Sequence, residues 1–276
     1  MAYPTPVKES PAAGAHLPGI RGVLFDLDGV LYVGSGLVEG AVEAVARVRA
    51  AGIPRRFITN TSTLSRNSLL ARLYGLGFDV DPEELLTAPQ ATAAYLRTHF
   101  PGAPCHLLLE ENVRRDFSEV TLADLEAADC IVVGDIGSSW TCELMDRIFN
   151  RLIHGARLIC IHKNRFWQTC TGLRMDIGGY ITALEYCSAT QALVMGKPSV
   201  HFFGTALTEL GLAPENVAIV GDDIDMDIGG GQAAGLRGVL VRTGKYRPAY
   251  AAASAVTPDR IIDSVRNLPA LLGLPD

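Results

Sequence analysis

Long apolar runs are missing from this chain of 276 residues. None approaches the ~18 residues that a helix needs to span a bilayer. Residues 1–18 lack both a basic start and an apolar stretch of the secretory kind, so a cytoplasmic protein is expected. Blocks of Lys and Arg are absent too, and the formal net charge is -6, which disfavours the nonspecific nucleic-acid binding that a basic face supports. The expected partner is a small molecule, with no nucleic acid and no membrane. Zinc signatures are also lacking: the six cysteines (Cys105, Cys130, Cys142, Cys160, Cys170, Cys187) include no C-x-x-C, and the six histidines no H-E-x-x-H. A zincin site and a His-centred triad are therefore unsupported. Cys130 and Cys160 lie in apolar runs and are expected to pack as small buried hydrophobes. No internal repeat occurs, and the only biased segment is the Ala- and Pro-rich stretch 1–18, expected to be a poorly ordered tail.

What is present suits a globular protein with a sizeable core: 48% of residues are hydrophobic, and the length allows two domains. Short β-rich runs at 20–25, 53–58, 106–109, 130–133, 158–162, 193–195, 217–220 and 239–241 alternate with helical patterns. That alternation predicts α/β layers with a parallel sheet. Ala41, Val42, Val45, Ala46 and Val48 predict a helix closed by Gly52 and Pro54, and Leu69, Leu70 and Leu73 predict another over 65–74. Pro198 suits the first turn of a third helix, whose Phe202, Phe203, Ala206, Leu207 and Leu210 form a core stripe.

The chemistry concentrates where apolar runs end. Gly22 to Val30 closes in Asp26 and Asp28, two carboxylates at strand spacing on one side of a predicted strand's carboxyl end, where open α/β sheets bind ligands. Held close, they require a cation or a shared proton. An Asp-Gly turn would look similar. A calcium loop fails because Val30 occupies a ligand position, and the Gly34, Gly36, Gly40 spacing misses the dinucleotide fingerprint. Thr59 and Asn60 end the next apolar run, as either a phosphate-binding pair or a helix cap. Lys197, between Gly196 and Pro198, puts one cation before a predicted helix. After the run 217–220 come Asp222, Asp223, Asp225 and Asp227, more acids than capping needs, which points to a metal site.

In that order, Asp26-Leu-Asp28-Gly-Val, Thr59-Asn60, Gly196-Lys197-Pro198 and Gly221-Asp222-Asp223 to Asp227 resemble the four motifs of the haloacid dehalogenase superfamily of phosphohydrolases. The likeness covers about residues 20–272 and extends to 172–180, 183–186 and 241–247. It implies a Rossmann-like core with parallel sheet over 19–82 and 190–276, a large α/β cap of the C2 type over 83–189, and Mg2+ as cofactor. It also implies that Asp26 is the nucleophile, Asp28 the acid/base, and Lys197 the balance for phosphoryl charge. Thr59 and Asn60 would bind phosphate oxygens. Asp26, Asp222 and the Asp28 carbonyl would hold the metal, with Asp223 and Asp227 orienting lysine or metal-bound water. The expected activity is hydrolysis of small phosphorylated compounds: phosphomonoesters, phosphoamides or pyrophosphate. Phosphomutase activity and a catalytically silent phosphate-binding role are the alternatives. Asn164, Arg165, Arg174 and above all Asp176 are candidates for substrate selection in the cap, through which a homodimer is plausible.

Overall fold

The computed structural model describes residues 16–169 and 172–275. Cys170 and most of the expected tail fall outside the described residues. Of that tail, Leu17 is buried, and its N–H donates to the Leu271 carbonyl at 2.9 Å, so the end of the segment is tied down rather than loose.

Strands run in chain order as β1 Gly22–Asp26, β2 Tyr32–Val33, β3 Gly36–Leu37, β4 Arg55–Thr59, β5 Leu85–Thr87, β6 Cys105–Leu108 and β7 Cys130–Val133. They continue as β8 Arg157–Cys160, β9 Phe166–Thr169, β10 Gly172–Met175, β11 Leu193–Val194, β12 Val217–Gly221, β13 Arg237–Val241 and β14 Arg260–Ile262. A six-stranded sheet has the order β14-β13-β12-β1-β4-β5, and a four-stranded sheet the order β11-β8-β7-β6. The chain divides into two compact units: 1–57 with 77–79 and 203–276, and 58–76 with 80–202. The divisions fall inside β4 and inside the helix Val200–Leu210.

In the first unit, β1, β12, β13 and β14 are mutually parallel. Every residue of β1 and β12 is buried, the pattern of a parallel sheet covered on both faces. Helix Ala41–Ala50 buries Ala41, Ala44, Val45 and Val48, a helical stripe, and stops where Gly52 adopts φ +68°. In the second unit, β6, β7, β8 and β11 are parallel. Their core gathers Ile131, Val133, Ile148, Leu158, Cys160 and Ile181. Cys130 and Cys160 are fully buried, as expected of small hydrophobes. Helix Arg66–Gly75 starts at Ser65, whose side chain accepts from the Ser68 N–H.

One helix start differs from expectation. Val200, not Pro198, opens the helix that buries Phe202 and Phe203, and the cis Lys197–Pro198 peptide lies before it. The apolar face is nevertheless the expected one.

Candidate functional site

Parallel strands end on the same side of a sheet, and three neighbours in the first unit deliver polar groups there. Asp26 closes β1, Asp222 follows β12, and Thr243 to Lys245 follow β13. Phe25 lies beside Val220, so the register brings Asp26 and Asp222 past the strand ends together.

Past Asp222 the chain makes a widened turn, Ile224–Gly229, in which Asp227 N–H bonds to the Asp223 carbonyl at 3.0 Å and Ile228 N–H to the same oxygen at 3.3 Å. Asp223 caps it: one carboxylate oxygen accepts from the Asp225 and Met226 N–H groups at 3.1 and 3.0 Å. The turn brings Asp227 back over the strand end, where its Oδ2 accepts from Asp223 N–H at 3.1 Å. A side chain at Gly221 would put a Cβ 2.2 Å from that of Asp227. Asp225 points elsewhere, to the Tyr250 and Ser254 hydroxyls, and is structural.

The result is a group of three buried carboxylates, Asp26, Asp222 and Asp227, with one oxygen from each lying within 4.8 Å of the others. Burial pushes the Asp222 carboxyl up, and the negative charges of Asp26 and Asp227 push the same way against the counter-pull of Lys245. Buried Asp222 Oδ1 has no hydrogen-bond partner, while Oδ2 accepts from Lys245 N–H at 2.6 Å. Three converging carboxylates with an orphaned oxygen fit a hard divalent cation. Asp28 is exposed, and the Gly29 N–H after it donates to the Tyr32 carbonyl at 2.7 Å.

A cation of the same unit that the four motifs do not include stands beside this group. Lys245 Nζ lies 3.8 Å from Asp223 Oδ2. Burial alone would lower its ammonium, but Asp222, Asp223, Asp26 and Asp227 outweigh that and hold it protonated above the ordinary lysine range. Gly29, in the first motif, and Gly244, outside the four motifs, both press on Asp222: a Cβ would come 1.9 Å from its Oδ2 at Gly29 and 2.1 Å at Gly244. The available signal was topological, since Thr243-Gly244-Lys245 follows a predicted strand at the same sheet edge.

The second unit assembles the other motif residues. Asn60 Oδ1 accepts from Lys197 N–H at 2.8 Å, and Asn60 Nδ2 donates to the Lys197 carbonyl at 2.9 Å, so this side chain clamps the lysine's backbone. Asn60 Nδ2 also reaches Asn164 Oδ1 at 3.4 Å. Gly196 is required beside them, because a Cβ would meet Asn60 Oδ1 at 2.3 Å. Thr59 Oγ1 lies 2.9 Å from Thr61 Oγ1 and accepts from Thr61 N–H at 3.0 Å. Asp176 is buried before helix Gly178–Ser188 and accepts from the Ile177 N–H at 2.7 Å, while Arg165 and Arg174 are exposed.

A family model described as haloacid dehalogenase-like hydrolase matches residues 23–123, and one described as HAD-hydrolase-like matches 194–268. The chain belongs to the haloacid dehalogenase-like hydrolases. It is 38% identical to phospholysine phosphohistidine inorganic pyrophosphate phosphatase of Rattus norvegicus over 93% of its length and 96% of the relative's. To haloacid dehalogenase-like hydrolase domain-containing protein 2 of Bos taurus it is 39% identical, over 83% of its length and 87% of the relative's. Among solved structures, p-nitrophenyl phosphatase from Archaeoglobus fulgidus superposes with a TM-score of 0.85 at 30% identity, covering 93% of this chain and all of that one. Within its family, then, the chain is a phosphatase. Among the described residues, no helix is long and apolar enough to cross a membrane.

Proposed function

We propose that the protein is a Mg2+-dependent phosphatase of small phosphorylated compounds that works through a phosphorylated Asp26. The observation that carries this reading is the convergence of Asp26, Asp222 and Asp227 within 4.8 Å at the carboxyl edge of a parallel sheet. Asp26, Asp222 and the backbone of Asp28 would hold the ion, with Asp227 beside them. When bound, Mg2+ neutralises the carboxylates and lets an anionic nucleophile approach an anionic phosphoryl group.

An Asp26 oxygen attacks phosphorus as the bond to the leaving oxygen breaks, and Asp28 gives that oxygen its proton. Asp28 then takes a proton from water, which attacks phosphorus; the bond to Asp26 breaks and inorganic phosphate leaves. On the family resemblance, Thr59 and Asn60 bind phosphoryl oxygens and Lys197 offsets their charge, and the clamp of Asn60 on the Lys197 backbone supports a second part for Asn60 in holding that lysine's loop. Residues 83–189 serve as the family's cap, with Asp176 its candidate for substrate selection. The name of the Rattus norvegicus relative puts phospholysine, phosphohistidine and pyrophosphate among the compounds to assay, beside phosphomonoesters.

The test is phosphate release from such a panel with and without Mg2+. Asp26→Asn should abolish turnover of an aryl phosphate, and Asp28→Asn should lower it about 10²- to 10⁴-fold. Near wild-type turnover by Asp26→Asn would refute the nucleophile assignment.

A further inference from the structure

A second pair of reactive groups lies in the second unit, in elements that carry none of the phosphatase motifs. Cys105 opens β6 and Cys130 opens β7, and the parallel register sets these two residues directly side by side. Both are free thiols. Both are buried, and the Cys105 thiol donates to the Ala103 carbonyl at 3.2 Å. Adjacent strands of a sheet lie about 4.7–4.9 Å apart, inside the ~4.4–6.8 Å window of Cα separations that a disulfide spans.

Two further observations bear on reactivity. Cys105 lines a cavity of about 230 Å3 shared with Leu96, Phe100, Ala103 and Thr121, and the exposed Arg97 and Glu119 also line it, joined in an ion pair. That cavity brings open volume up to Cys105, a residue that is otherwise buried. The neighbouring Cys105 thiol also holds the Cys130 thiol below its ordinary value, which favours thiolate there, while Cys130 and burial push the Cys105 thiol well up.

We propose that Cys105 and Cys130 are a redox-active dithiol, closed to an intramolecular disulfide by a small hydroperoxide that enters through the cavity lined by Cys105. One thiolate takes the distal oxygen of the peroxide, whose O–O bond breaks to release an alcohol or, from hydrogen peroxide, water. The second sulfur attacks the resulting sulfenic acid, the S–S bond forms, and water leaves. Both sulfurs are oxidised by one electron each, the peroxide is reduced by two, and the thiol protons depart in the two products. Side chains of an in-register parallel pair project side by side rather than converge, so the bond closes under strain and is readily reduced. It is therefore a reversible modification rather than a permanent staple.

Tryptic peptides make the test direct. Cys105 is the sole cysteine of peptide 98–114, and in a Cys142→Ser background Cys130 is the sole cysteine of peptide 116–147. The full chain carrying Cys142→Ser is treated with hydrogen peroxide, alkylated, and digested without reductant. The expected result is a species joining 98–114 to 116–147, two hydrogens lighter than their sum, that disappears with dithiothreitol and is absent when Cys105→Ala is added. Recovery of the two peptides unlinked, as alkylated thiols or as sulfinic or sulfonic acids, would overturn the proposal. So would a link that survives dithiothreitol.

Discussion

At the scale of single residues, the site depends as much on what is missing from Gly29 as on what its aspartates supply. Gly29 sits at φ +92°, where L side chains are strained, and a methyl group there would come 1.9 Å from Asp222 Oδ2. Gly29→Ala therefore costs about 1–3 kcal/mol in backbone strain and also displaces a buried carboxylate. Thermal unfolding and aryl phosphate turnover should both fall. Retention of full turnover would mean that Asp222 can move without consequence. This dependence shows why the acids were legible in the sequence and their supports were not. Asp26 and Asp222 end apolar runs and carry charge, so pattern alone exposes them. The roles of Gly29, Gly244 and Lys245 exist only once three strands lie side by side, a relation that no local pattern encodes.

Elements were readable where a buried apolar run was four residues or longer. The central strands β1, β7 and β12 are uninterrupted apolar runs that fall close to their expected positions. The missed strands are short or partly exposed: β5 has three residues, the β2–β3 hairpin two in each strand, the β9–β10 pair exposes Trp167, Arg174 and Met175, and every residue of β14 is only half-buried. Strand β14 is held in part by a polar device that apolar periodicity cannot show. The Asp259 carboxylate, just before it, accepts from Gly238 N–H at 2.8 Å, Arg237 Nη1 at 2.9 Å and Gln232 Nε2 at 3.0 Å, tying the starts of β13 and β14 together. Burial alone would raise the Asp259 carboxyl, but these donors outweigh it and hold the group below its ordinary value. A carboxylate depressed on folding stabilises the native state above its unfolded value, and that contribution is lost as pH falls through the folded one. Asp259→Ala should cost about 1.5–3 kcal/mol at neutral pH and flatten the acid limb of the stability profile below about pH 4. Equal acid sensitivity in variant and wild type, read from denaturant unfolding across pH, would show that Asp259 is not the group titrating there.

For the whole molecule, the distribution of charge matters more than its net value of -6, because the first unit concentrates buried acid in one place. Three carboxylates converge there, with Asp223 beside them and Lys245 as their partner, so the metal-free protein carries an electrostatic cost that is local to that sheet edge. A divalent cation that binds only the folded state relieves this cost and stabilises by mass action, by about 2.7 kcal/mol at a hundredfold excess over Kd. The gain should not spread evenly over the chain. Hydrogen exchange with and without Mg2+ should show added protection at 26–29, 221–229 and 243–245, the segments that build the acidic group and its supports. The sheet β11-β8-β7-β6, whose core is apolar and which carries none of these acids, should change least. Unaltered exchange at 221–229 in saturating Mg2+ would remove the acidic group as the metal site even if the enzyme required the ion. Because exchange is read without substrate, that outcome stays separate from any failure to find the right phosphorylated compound.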